Sequence, residues 1–190
     1  GIVVMSAGFS EAGAEGAALE EAAVDAARHH GIRLLGPNCL GVVNTDPDIM
    51  LDATIAPSVP PRGRTAMLAE SGTLAAAIIE HAVRMDLGIS TLVAAGNRAD
   101  ISVSDLLSYW CEDDATDGVL LYLPAHDLQP RFVRAARAAS LELPVAALQT
   151  SMTASGRGDI AGDDIARAQA MFRQTGVIGV DTLEQLFDIG

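Results

Sequence analysis

Lysine is absent from this 190-residue sequence, so all 12 of its Lys or Arg positions are arginines, set against 25 acidic residues for a net charge of −13. That balance repels phosphate backbones and anionic lipid surfaces, which excludes nucleic acid and membrane partners but leaves room for one anionic ligand in a local basic pocket. Aromatic residues are scarce, at 4%. Much of the 49% hydrophobic content is Ala and Val instead, which suits helices packed closely on a sheet. The two cysteines, Cys39 and Cys111, make neither a disulfide framework nor a metal-ligand spacing. No apolar run reaches spanning length, and no basic segment followed by an apolar one opens the chain. A reducing cytoplasm is the predicted compartment. The chain begins on Gly1-Ile2-Val3-Val4-Met5 without an initiator Met, and reads as a fragment of a longer protein.

What the sequence does have is a regular alternation of short apolar runs and amphipathic stretches. Strands are predicted over residues 2–6, 32–35, 64–69, 90–95, 118–123, 144–149 and 177–180. Helices are predicted over 11–30, 71–85, 103–111, 130–140, 163–174 and 182–187, the first stopped by Gly31. Apolar strands between helices imply a parallel sheet buried on both faces. Residues 62–190 therefore read as a complete flavodoxin-like α/β domain. Residues 1–45 read as the C-terminal βαβ part of a Rossmann-like unit. Between them, Pro47, Pro57, Pro60 and Pro61 interrupt any periodicity, so residues 46–61 read as a linker or extended crossing segment.

In parallel sheets, ligands bind beyond the carboxyl ends of the strands. Four loops fall there: Ser6-Ala7-Gly8-Phe9-Ser10, Gly36-Pro37-Asn38-Cys39-Leu40-Gly41, Ala69-Glu70-Ser71-Gly72-Thr73, and Ala95-Gly96-Asn97-Arg98-Ala99-Asp100. The third opens a helix, where free backbone N–H groups and the Ser71 and Thr73 hydroxyls favour an anion. Ser71 is equally an ordinary helix cap. Cys39 reads as a small buried residue more readily than as a nucleophile. His29, His30 and His81 fall on predicted helices, and His126 follows a strand end.

Taken in order, these segments resemble one family. Ser6-Ala7-Gly8-Phe9, an acidic helix, and Gly31-Ile32-Arg33-Leu34-Leu35-Gly36-Pro37-Asn38-Cys39-Leu40-Gly41 resemble the end of the CoA-binding domain of NDP-forming acyl-CoA synthetases, relatives of the succinyl-CoA synthetase α subunit. Glu70-Ser71-Gly72-Thr73-Leu74, Gly96-Asn97-Arg98-Ala99-Asp100 and Asp105-Leu106-Leu107 resemble the ligase domain that follows, as does the tail from Gly176 to Phe187. The resemblance implies CoA or acyl-CoA as ligand of the longer parent. It gives Gly36, Pro37, Asn38, Cys39, Ser71, Gly72, Thr73, Gly96 and Asn97 as binding positions, the parent's remaining domains as partners, and leaves a homo-oligomer open.

The family makes acyl-CoA from a carboxylic acid, CoA and a nucleoside triphosphate through a phosphorylated histidine. Here the matching loop reads Ser155-Gly156-Arg157-Gly158, with Gly156 at the histidine position. Pro124 stands where the family places a glutamate that holds the phosphohistidine, and Gln149 where a lysine is common. Glu70 puts a carboxylate into the phosphate-cradling turn. Two like charges about 4 Å apart repel by roughly 4 kcal/mol at an effective dielectric of ~20, against ~0.3–1 kcal/mol from a helix terminus. A phosphoryl carrier needs an activated nucleophile. The resemblance therefore implies a degenerate, non-catalytic region that binds CoA or regulates. Such regions occur fused to GCN5-type acetyltransferases in bacterial protein lysine acetyltransferases. The alternative is an active synthetase using His126, and a third reading is a scaffold without ligand.

Overall fold

A computed structural model describes residues 1–124, 129–150 and 162–190. The chain begins with a short strand β1 (Ile2–Val3), a single 3-10 turn (Ser10–Ala12) and helix α1 (Ala14–His29). Strand β2 (Leu34–Leu35) returns parallel to β1, pairing Ile2 with Leu34 and Val3 with Leu35. This is the βαβ piece that the sequence predicts.

The main sheet collects β3 (Gly41–Asn44), β4 (Leu51–Thr54), β5 (Arg62–Ala69), β6 (Ile89–Ala94), β7 (Gly118–Pro124), β8 (Val145–Thr150) and β9 (Ile178–Val180). Among the described residues the order is β4-β3-β6-β5-β7-β8-β9. The five strands from β5 onward are mutually parallel and run in the doubly wound order 2-1-3-4-5. Apolar side chains fill both faces. Helices α3 (Val103–Glu112), α4 (Pro130–Glu142) and α5 (Gly162–Thr175) bring Leu107, Trp110, Phe132, Ala136 and Phe172 to one face. Helices α2 (Gly72–Met85) and α6 (Leu183–Ile189) bring Ala75, Ile78, Ile79 and Leu186 to the other.

Residues 46–61, expected as a linker or extended crossing segment, contain β4, and β3 lies within the stretch expected to close the first unit. The two strands form an antiparallel hairpin in which Gly41 pairs with Thr54 and Asn44 with Leu51. Strand β3 also joins β6 antiparallel, pairing Gly41 with Ala94. Gly41 has φ 119°, and a Cβ there would lie 1.9 Å from the Ala53 carbonyl oxygen, so the close pairing requires glycine. Helix α3 starts on a capping box in which Ser102 and Asp105 exchange hydrogen bonds. Among the described residues no helix is long and apolar enough to cross a membrane.

Candidate functional site: the junction of the carboxyl-edge loops

The four loops singled out in the sequence converge. Loop 95–100 follows β6 and runs beside the segment after β2 in a short ladder. The Ile101 amide donates to the Leu34 carbonyl at 3.3 Å, Ala99 to Gly36 at 3.0 Å and Asn97 to Pro37 at 2.9 Å. Gly96 enters this ladder with φ 60°, and an added Cβ would sit 2.2 Å from the Pro37 oxygen and 2.4 Å from that of Asn38. Only glycine fits so close an approach. The turn 69–73 closes the third side. The Ala95 amide donates to Ala69, and Gly96 to Glu70. A Cβ on Gly72 would meet Leu40 at 3.4 Å, so α2 begins against the 36–41 turn.

Side chains tighten the junction. Asn38, at φ 56°, donates through Nδ2 to Asn97 Oδ1 at 3.3 Å. Asn97 Nδ2 in turn lies 3.1 Å from Ser10 Oγ, 2.5 Å from Glu11 Oε2 and 2.8 Å from Glu20 Oε2. Asn97 thus ties the 36–41 turn to the 6–10 loop and to α1. Glu11 also accepts from the Gly8 and Phe9 amides. What little burial it has opposes ionisation, but Asn97 and those amides outweigh it and hold the carboxyl at about 2.

Asp100 is the residue that sequence reasoning undervalued. Its side chain is 2% exposed. Oδ1 accepts from Arg28 at 2.9 and 3.1 Å, and Oδ2 accepts from Arg33 Nε at 2.8 Å and the Leu34 amide at 2.9 Å. Burial pushes its pKa up, but the Leu34 amide, Arg33 and Arg28 prevail and hold it at about 2. Arg33 also lies 3.7 Å from Asp105, which Arg131 approaches to 3.2 Å. The signal in the sequence is an Asp ending a Gly-Asn-Arg-Ala-Asp run. Its donors lie more than sixty positions upstream.

Glu70 is not left as a lone negative charge. Arg98 NH2 donates to its Oε1 at 3.1 Å, with side-chain exposures of 12% for Arg98 and 15% for Glu70. The repulsion expected at the phosphate-cradling turn is therefore offset beside its source. Ser71 Oγ caps α2 by accepting from the Leu74 amide at 3.4 Å, while Thr73 is exposed. Cys39 is buried, donates Sγ–H to the Val4 carbonyl at 3.2 Å, and has its pKa pushed up by burial. An inert structural thiol fits those surroundings. Three histidines fall among the described residues. His29 ends α1 with His30 just beyond, and His81 stacks on Phe187 of α6 at 4.6 Å. Pro124 is the last residue of β7 and pairs with Thr150. Gly156 and His126 lie outside the described residues.

A doubly wound sheet whose carboxyl-edge loops meet a βαβ piece through glycine turns is a flavodoxin-like α/β scaffold. The chain belongs to the family described as "Succinyl-CoA ligase like flavodoxin domain", matched over residues 62–190, within the NDP-forming acyl-CoA synthetases. The ADP-forming acetate–CoA ligase I of Archaeoglobus fulgidus is 40% identical over 195 residues, covering 99% of this chain and 28% of that protein. The ADP-forming acetate–CoA ligase II subunit alpha of Pyrococcus furiosus is 31% identical, covering 100% of this chain and 42% of that protein. A solved structure of the dinucleotide forming acetyl-coenzyme A synthetase 1 of Ca. Korarchaeum cryptofilum, in complex with phosphate and ADP, superposes with TM-score 0.85 at 30% identity, covering 98% of this chain and 41% of that one. The chain thus spans well under half the length of each of these relatives.

Proposed function

We propose that this chain is the CoA-facing junction of a longer NDP-forming acyl-CoA synthetase-like protein, and that it binds or senses CoA or acyl-CoA without carrying a phosphohistidine. One observation carries the reading. The 36–41, 69–73 and 95–100 loops are hydrogen-bonded into one junction, and the family resemblance puts Gly156 at the position of the family's nucleophile. The donor set suits part of CoA. Asn38 and Thr73 are exposed at the junction and uncharged, which matches the amide-bearing pantetheine arm. Arg98 is committed to Glu70, so the nucleotide phosphates of CoA fall to residues elsewhere in the longer protein. The named relatives are ligases or ligase subunits, which favours a ligase-type parent over an acetyltransferase fusion. Gly36, Pro37, Asn38 and Cys39 shape the turn, Gly96 and Asn97 lock it, and Ser71, Gly72 and Thr73 form its far wall.

The test is calorimetric titration of CoA and acetyl-CoA into this chain alone and into its longest natural form. Weak or absent binding by the chain alone, with clear binding by the longer form, is expected. Micromolar binding by the isolated chain contradicts the division of the site, and no binding by either form contradicts the function.

An active ligase is the second reading. It is favoured by the Arg98–Glu70 pair, which removes the charge objection at the turn, and by 40% identity to an acetate–CoA ligase. In that reading His126 substitutes as the phosphorylated residue.

A further inference from the structure

We propose that Asp100 is the positioning residue that holds the 36–41 turn in register with the 95–100 loop, and so sets the wall against which the CoA arm lies. This deepens the reading given above and rests on it for the identity of the ligand. Asp100 combines two properties. Its carboxylate is buried, while the arginines that reach it, Arg28 and Arg33, remain 58% and 54% exposed. Both of its oxygens are engaged, one by Arg28 and the other by Arg33 and a backbone amide. A carboxylate held at both oxygens is fixed in its plane as well as in its place.

The backbone amide is the link to the site. It belongs to Leu34, two residues before Gly36. Between Asp100 and the 36–41 turn runs the ladder of Ile101 to Leu34, Ala99 to Gly36 and Asn97 to Pro37. Asp100 therefore pins the root of the ladder, and Asn97, which holds Asn38 directly, stands at its tip. The groups that would touch a ligand, Asn38 and Thr73, are exposed and receive little packing of their own. The placement of Asn38 depends on the ladder, and a site a fraction of an ångström out of register loses affinity.

Asp100→Asn keeps the shape and an acceptor for the Leu34 amide but removes the charge that gathers two guanidinium groups. Arg33→Gln removes one exposed partner and tests the same link with less risk to folding. Hydrogen exchange on this chain should then run at least ~10-fold faster at the Asn97, Ala99 and Ile101 amides in Asp100→Asn, with Ile78 and Ile79 of α2 unchanged and Arg33→Gln intermediate. In the longest natural form, CoA affinity should fall by about tenfold at a temperature where both proteins are fully folded. Unchanged exchange at those three amides overturns the proposal. Faster exchange with unchanged CoA affinity also overturns it, since Asp100 would then serve stability alone. Should the unsubstituted protein bind no CoA, the functional reading fails by itself, and the exchange data still decide whether Asp100 registers the two loops.

Discussion

Glu70 and Arg98 show how a residue's meaning changes once its neighbour is known. In the sequence, Glu70 is a carboxylate placed where a phosphate would lie. In the structure it shares its largely buried site with Arg98, and the charges offset each other. Removing one partner of a buried pair strands the other and costs ~3–5 kcal/mol. Both groups here keep some water contact, so Arg98→Met should cost about 2–3 kcal/mol. Adding Glu70→Gln should recover much of that loss, as read by a double-mutant cycle in urea. Additive losses would show that the pair is not coupled. The Glu70 charge is legible in the sequence, but its compensation is not, because it depends on β5 and β6 delivering two loops to one place. Asp100 is the same case. Its folded pKa of about 2 lies below its ordinary value of 3.8, so its contribution is present above pH 4 and is lost as pH falls toward 2. The difference corresponds to about 2 kcal/mol. The stability of Asp100→Asn should therefore change less between pH 4 and pH 2 than that of the unsubstituted protein, and parallel profiles would contradict the assignment.

Whole elements were more legible than pairs. The helices carry apolar residues at helical spacing, and three of them, α2, α3 and α6, begin on the Ser or Thr caps Ser71, Ser102 and Thr182. The parallel strands read as apolar runs because both of their faces are covered. The hairpin of β3 and β4 lacks both signals. Each strand has four residues, Pro47 interrupts the connection, and β3 is further paired by the edge of β6. On the outer strand Asp52 Oδ1 accepts from the Thr54 amide and hydroxyl, which occupies one backbone amide that another chain could otherwise pair with. Gly41 offers the test of this element. Gly41→Ala forces a Cβ against the Ala53 carbonyl and should destabilise by about 2–4 kcal/mol. A loss under ~0.5 kcal/mol in the urea midpoint would mean that the hairpin does not hold the sheet as described.

For the molecule as a whole, the ordered series of loops resembles the family, and the 2-1-3-4-5 sheet with helices on both faces agrees with it. The junction is assembled from glycine turns, Asn38, Asn97 and the Asp100 cluster, and the proposed reading, by resemblance, puts Gly156 at the position of the family's nucleophile. On that proposal the scaffold is kept for binding without the covalent chemistry, since the two depend on different residues. The most direct measurement is phosphoryl transfer. The protein in its longest natural form is incubated with γ-labelled ATP or GTP, acetate and CoA, and acid-labile phosphate is mapped to the sequence. The account predicts no label between Gly1 and Gly190. Stoichiometric label on His126 would contradict it and restore an active ligase.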